Sequence, residues 1–242
     1  MNILITGANR GLGLSLVQEA LQRQHTVLAT ARTAGAELLA LQKQYPQKLW
    51  IYQMDVVQEA SVVAAAQSIA AAHGTVDVLI NNAAVLLESK YYQGDPVADM
   101  ALCDYEATLN VNVMGVIRTC HYFAPLLYKS ACPWLMNITS EGAMLKPMGS
   151  HYIAYSISKY ALNMYTQKIR NYYKEQRPGW PLHIYMVHPG RMFTDMGVEN
   201  AQIQPAVPAK GILDILDGNI TVEPMDIPFI DYLGKPMPDH FH

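Results

Sequence analysis

Tyr155 and Lys159 stand four residues apart in a helix-forming stretch, so on a helix they share one face a single turn apart. That pairing suits the reduction of a carbonyl, which needs a proton donor beside the developing alkoxide. A phenol with a pKa near 10 is protonated at neutral pH but gives up its proton reluctantly, and an ammonium neighbour stabilises the phenolate. At ~4 Å and an effective dielectric of 20 the attraction is about 4 kcal/mol before desolvation, at most roughly three pKa units. The expectation is a tyrosine brought toward working pH. Tyr155 is the only one of 15 tyrosines with a lysine four residues on, yet chance alone supplies ~0.6 such pairs, so position must decide. The pair follows a strand-like run ending Asn137-Ile138-Thr139-Ser140, at the edge where ligands bind in parallel sheets. There the Ser140 hydroxyl can hydrogen-bond a substrate carbonyl and support its oxyanion character.

A second group of residues suits a dinucleotide. Thr6-Gly7-Ala8-Asn9-Arg10-Gly11-Leu12-Gly13 follows the first apolar run and opens an amphipathic one. Glycine is required where backbone turns tightly or approaches a phosphate, and a helix start offers free N–H groups to a pyrophosphate. The spacing is G-x-x-x-G-x-G, so its strand–turn–helix setting carries the weight. An NAD site usually places a carboxylate about 20 residues on, against the ribose 2′-OH. No acid occurs between His25 and Ala36; Arg32 offers a planar cation for a 2′-phosphate instead, and Arg10 a second one. NADP(H) is the expected cofactor.

The elements that must position these groups alternate along the chain. Strands are expected at Ile3–Thr6, Thr26–Thr30, Leu49–Met54, Val76–Ile80, Leu135–Thr139, His183–His188 and Phe229–Tyr232. Helices are expected at Leu12–Arg23, Ala34–Gln44, Glu59–Ala72, Ala98–Leu127 and Tyr152–Glu175, with Leu87–Pro96 and Arg191–Pro208 irregular. Short strands separated by longer helices imply parallel strands with right-handed crossovers. The fold class is therefore α/β, a single Rossmann-type doubly wound sheet with helices on both faces, formed by one domain over residues 1–242.

Composition narrows the remaining classes. Among 242 residues 51% are hydrophobic and 15% charged, which supplies a packed core and excludes disorder. The net charge is −3 and basic residues are scattered, which argues against nucleic acid or an anionic membrane as partner. Cys103, Cys120 and Cys132 show neither metal spacing nor a disulfide framework, and Met1 runs straight into Ile3-Leu4-Ile5, so a reducing, cytoplasmic setting is expected. His240 and His242 are too few for a metal site, and none is expected. His188 reads as structural; His151, Tyr152, Glu141 and Met144 border the site in sequence.

Taken in order, Thr6–Gly13, Asn81-Asn82-Ala83-Ala84, Asn112 with Gly115, Ser140, Tyr155-Ser156-Ile157-Ser158-Lys159 and Pro189-Gly190 resemble the motif set of the short-chain dehydrogenase/reductase family. The likeness runs to about Met196; His188–Gly197 and Phe229–Pro236 are similar to the C-factor and Sniffer-type carbonyl reductases. The resemblance implies roles. Tyr155 would be the general acid/base, Lys159 would hold the nicotinamide ribose and tune Tyr155, Ser140 would orient the carbonyl, and Asn112 would anchor a proton-relaying water. Gly7, Asn9, Arg10, Gly11, Leu12, Gly13 and Arg32 would hold the phosphates. Asp55 and Val56 would meet the adenine, Asn82, Ala83 and Ala84 the cofactor floor, and Pro189, Gly190, Met192 and Thr194 the nicotinamide. Two departures are Ala84, where the family usually has glycine, and the tail Met237–His242, where relatives often carry a tryptophan after the proline. A carbonyl or alcohol substrate, a lid at 191–208 and a homodimer or homotetramer follow from the likeness. So does an alternative, an NADP(H)-binding signalling or regulatory protein with little turnover.

Overall fold

Continuous apolar runs such as Ile3-Leu4-Ile5 and Val78-Leu79-Ile80 can be buried only where both faces of a strand are covered. The computed structural model, which describes residues 1–88, 94–95, 97–145, 149, 151–196 and 201–238, covers both faces with helices. Its strands are β1 (Asn2–Thr6), β2 (Thr26–Ala31), β3 (Leu49–Gln53), β4 (Val78–Asn81), β5 (Trp134–Ile138), β6 (His183–His188) and β7 (Phe229–Asp231). They form one seven-stranded sheet in the order β3-β2-β1-β4-β5-β6-β7, every pair parallel. The strand order reverses between β1 and β4, which opens a crevice at their carboxyl ends.

Side-chain alternation along each strand divides the core in two. Ile3, Ile5, Val27, Ala29, Val78 and Ile80 face one side, with α1 (Gly11–Gln22), α2 (Ala36–Gln44) and α7 (Ala206–Leu216) packed over them. Leu4, Leu28, Leu79 and Leu135 face the other, under α3 (Glu59–His73), α5 (Gly115–Leu127) and α6 (Ile153–Gln176). No described helix is long and apolar enough to cross a membrane.

Two elements differ from the sequence expectation. The stretch expected as one helix over Ala98–Leu127 is α4 (Leu102–Leu109) and α5 joined by a π-helical turn at Asn110–Met114. A widened turn of this kind often marks a functional position, and it carries Asn112. The helix α7 has no counterpart in the sequence reading, whose irregular segment 191–208 overlaps its start. Pro205 at its N-cap and Pro208 in its first turn look like helix breakers, but first-turn N–H groups have no intrahelical acceptor, so proline is tolerated there.

Candidate active site

The turn after β1 is built for close approach. Gly7 and Gly11 have φ of +66° and +55°, a region unfavourable to other residues. A Cβ on Gly13 would lie 2.2 Å from the Gly7 carbonyl oxygen, so only glycine lets α1 start this near the turn. The N-terminus of α1 has no side-chain cap and no acid in its first turn, which leaves its positive end for an anion. A glycine-surfaced cradle with uncapped N–H groups fits a pyrophosphate. Asn82 braces it, its amide donating to the carbonyls of Thr6 (2.9 Å) and Gly7 (3.2 Å). The Thr6 hydroxyl accepts the N–H groups of Asn82 and Ala83 at 2.9 and 3.0 Å. Ala83 packs so closely on Gly7 that a Cβ there would come within 2.8 Å of its Cα, while Ala84 is half-buried in the same segment.

Around the glycine turn and the ends of β2 and β3 the predicted residues divide by what they touch. The Asn9 side chain accepts the Gly35 N–H at 2.5 Å and so ties the glycine turn to the loop after β2. Arg32 stands exposed in that loop, and no ion pair engages it among the described residues. Arg10 does have a partner: its guanidinium meets Asp195 at 2.7 Å, both largely exposed. Leu12 is buried in the core beneath α1. The Asp55 carboxylate accepts its neighbour Val57's N–H at 3.0 Å, and Val56 packs against Gly115 at the end of the π-helical turn.

Tyr155, Lys159 and Ser140 meet at the carboxyl end of β5. The Lys159 Nζ lies 5.5 Å from the Tyr155 ring centroid and donates to the Ile138 carbonyl at 2.8 Å. Lys159 is only 2% exposed, and burial pushes its pKa down to about 8. Burial also pushes the Tyr155 phenol up to about 12, opposed by a hydrogen bond from Ser140. Here the structure departs from the expected acidified phenol: in this desolvated setting the loss of water outweighs the stabilisation its neighbours supply. The Ser140 oxygen accepts the Gly142 N–H at 3.0 Å, so its own proton is left for the phenol. A further polar pair orders the turn: His188 Nδ1 accepts the Glu141 N–H at 3.2 Å, and burial lowers the His188 pKa. The Glu141 carboxylate meets Arg191 at 2.5 Å.

Asn112 is fully buried, and its side chain is engaged by protein groups. It exchanges bonds with the Val85 backbone (2.8 and 2.9 Å) and donates to the Ser158 hydroxyl at 3.0 Å. Both amide protons are thus used, and its evident work is to fasten the segment after β4 to the π-helical turn. Past β6, Pro189 is buried and Gly190 has φ +80° with Ile203 against it; Met192 forms a single isolated parallel bridge with Ile203. The Thr194 methyl reaches to 3.4 Å from where a Gly11 Cβ would stand, bringing this segment against the glycine turn. Residues 197–200 of this segment, Gly197 among them, and 239–242 with His240 and His242 lie outside the described residues.

Sequence reasoning missed Glu88. Its carboxylate, 4% exposed, accepts the backbone N–H groups of Ala154 (2.8 Å) and Tyr155 (2.7 Å). The only local signal was an acid close behind Asn-Asn-Ala-Ala, with nothing to indicate partners 66 and 67 residues away.

Comparison with known proteins agrees with this geometry. A family profile described as short chain dehydrogenase matches residues 1–204. A benzil reductase ((S)-benzoin forming) of Saccharomyces cerevisiae is 31% identical over 200 residues, covering 80% of this chain and 72% of the yeast protein. Among solved structures, an NADPH-bound carbonyl reductase from chicken fatty liver superposes with a TM-score of 0.84 at 27% identity, covering 98% of each chain. The carbonyl reductase Sniffer of Drosophila melanogaster shares the fold, with a TM-score of 0.81 at 23% identity over 98% of each chain.

Proposed function

The chain belongs to the short-chain dehydrogenase family and is an oxidoreductase of that kind, and we propose that it is an NADPH-dependent reductase of aldehydes or ketones, reversible as an alcohol dehydrogenase. The observation that carries this reading is the convergence of Tyr155, Ser140 and Lys159 at the β5 edge, beside a glycine cradle that suits a pyrophosphate. NADPH, as in the chicken relative, supplies the hydride when bound. The protein's residues do the rest. Ser140 holds the carbonyl oxygen beside the Tyr155 hydroxyl, which gives its proton as negative charge develops there. Lys159, already desolvated, favours the phenolate left behind and orients the ribose. The π-helical turn at Asn112 holds the wall of the cleft through Val85 and Ser158.

Arg32 supports the NADP(H) preference, since it stands at the end of β2 where an NAD site would carry an acid. Arg10 joins it at the phosphates by exchanging Asp195 for the ligand. The whole chain acts as one cofactor-binding unit, with 191–208 as the lid. A homodimer or homotetramer forms along α4–α5 and α6, where Met114, Ile157 and Met164 are exposed. The test is turnover of NADPH against dicarbonyls, quinones and aromatic aldehydes. Reduction of members of that panel supports the enzyme; tight NADPH binding with no turnover across it favours a cofactor-sensing regulatory protein.

A further inference from the structure

Helix α6 carries the reacting groups, yet its start lacks the usual anchor. Its N-cap residue, Tyr152, sits in the left-handed region (φ +62°, ψ +48°) and makes no side-chain cap bond. N-caps normally take extended backbone, which aims a short polar side chain at the N–H groups of the second and third helical residues. Those residues here are Ala154 and Tyr155, and both of their N–H groups go to the two oxygens of Glu88, from the segment after β4. A charged acceptor makes such bonds short and strong, and in a buried place screening is slight. The same segment is fastened at Asn82 to the glycine turn and at Val85 to Asn112, so Glu88 is the last of three ties joining cofactor cradle, π-helical turn and catalytic helix.

Resting on the reductase reading of Tyr155, we infer that Glu88 is a positioning residue, whose carboxylate fixes the first turn of α6 and whose charge opposes ionisation of the Tyr155 phenol. Glu88 takes the backbone N–H of Tyr155 itself, so its charge sits at the residue that carries the phenol. A negative charge there opposes ionisation of the phenol, and it also offsets the positive end of the helix, which would favour it. The other polar groups facing the phenol are Ser140 from the β5 edge and Lys159 one turn on; the Glu141–Arg191 pair and His188 stand at the turn behind Ser140.

The test is the Tyr155 titration itself, read without substrate. Tyrosine labelled at the ring carbon bearing oxygen is followed by NMR, with the Tyr155 signal identified by its loss in Tyr155→Phe. In Glu88→Gln the Tyr155 pKa is expected to fall by on the order of one unit. In Glu88→Asp, which keeps the charge with a shorter reach, it stays nearer the wild-type value. Where the wild type turns over, Glu88→Gln lowers kcat roughly tenfold or more, as expected for a displaced acid, with NADPH affinity within about twofold. An unmoved titration overturns the inference, as do equal shifts in both variants. Should the glutamine chain not fold, kcat of Glu88→Asp decides: its shorter carboxylate does not reach both N–H groups, so a several-fold loss with NADPH affinity kept supports the assignment and an unchanged kcat overturns it. A shifted titration in a protein with no turnover leaves Glu88's role standing and removes the reductase reading instead.

Discussion

Replacing Lys159 with methionine is expected to make the protein more stable while removing its activity. The Nζ is buried, and its pKa falls from 10.5 to about 8 because water has been taken away. An unfolded chain holds this proton with the ordinary value and the folded chain releases it sooner, so below about pH 8 the folded state carries the full penalty. The move from 10.5 to about 8 corresponds to about 3 kcal/mol near pH 7. As pH rises the penalty fades, and between about pH 7 and 9.5 the wild type should gain about 2 kcal/mol relative to the methionine variant. Methionine is unbranched and fills the channel of the lysine stem, but the Ile138 carbonyl loses its donor, which costs about 1–2 kcal/mol. The net gain at neutral pH is about 1–2 kcal/mol, a Tm rise of about 2–8 °C for a chain of this size. Urea unfolding followed by circular dichroism at the two pH values measures both quantities. A methionine variant less stable than wild type at neutral pH, with parallel stability–pH curves, would refute the desolvated-lysine reasoning.

Three further outcomes follow from other parts of the structure. Gly13→Ala puts a methyl 2.2 Å from the Gly7 oxygen, so calorimetry should show a loss of about 2–3 kcal/mol and NADPH titration a marked loss of affinity. Arg32→Ala should weaken NADPH roughly 10–100-fold through loss of a charge-assisted phosphate contact, with little effect on NADH; equal losses for both remove the basis of the preference. Asn137→Leu breaks a buried ladder in which Asn137 accepts from Asn81 and donates to Thr166, each at 2.8 Å, and should cost about 3 kcal/mol in urea unfolding by leaving the Asn81 amide short of a partner.

The sheet was legible because its strands are apolar on both faces and are separated by helices of unlike period. Each expected strand lies within two residues of an observed one. The glycine turn and the Tyr155/Lys159 face were legible for a related reason: their geometry is local, fixed within a few residues. What stayed hidden depends on distant groups. Nothing near Glu88 shows that the start of α6 needs a cap, and nothing near Arg10 shows Asp195 across the turn. The Tyr155 acidity was misjudged because charge spacing can be read from sequence, whereas desolvation cannot. Helix α7 escaped because proline was weighed as a breaker without regard to its place in the first turn.

The proton donor is tested most directly by Tyr155→Phe in a single-turnover experiment, mixing the NADPH complex with a reducible carbonyl and following loss of NADPH absorbance. A phenylalanine at this position should leave NADPH affinity within about twofold and slow the reduction roughly 10²–10⁴-fold. Reduction at close to the wild-type rate in that variant would show that the proton comes from elsewhere.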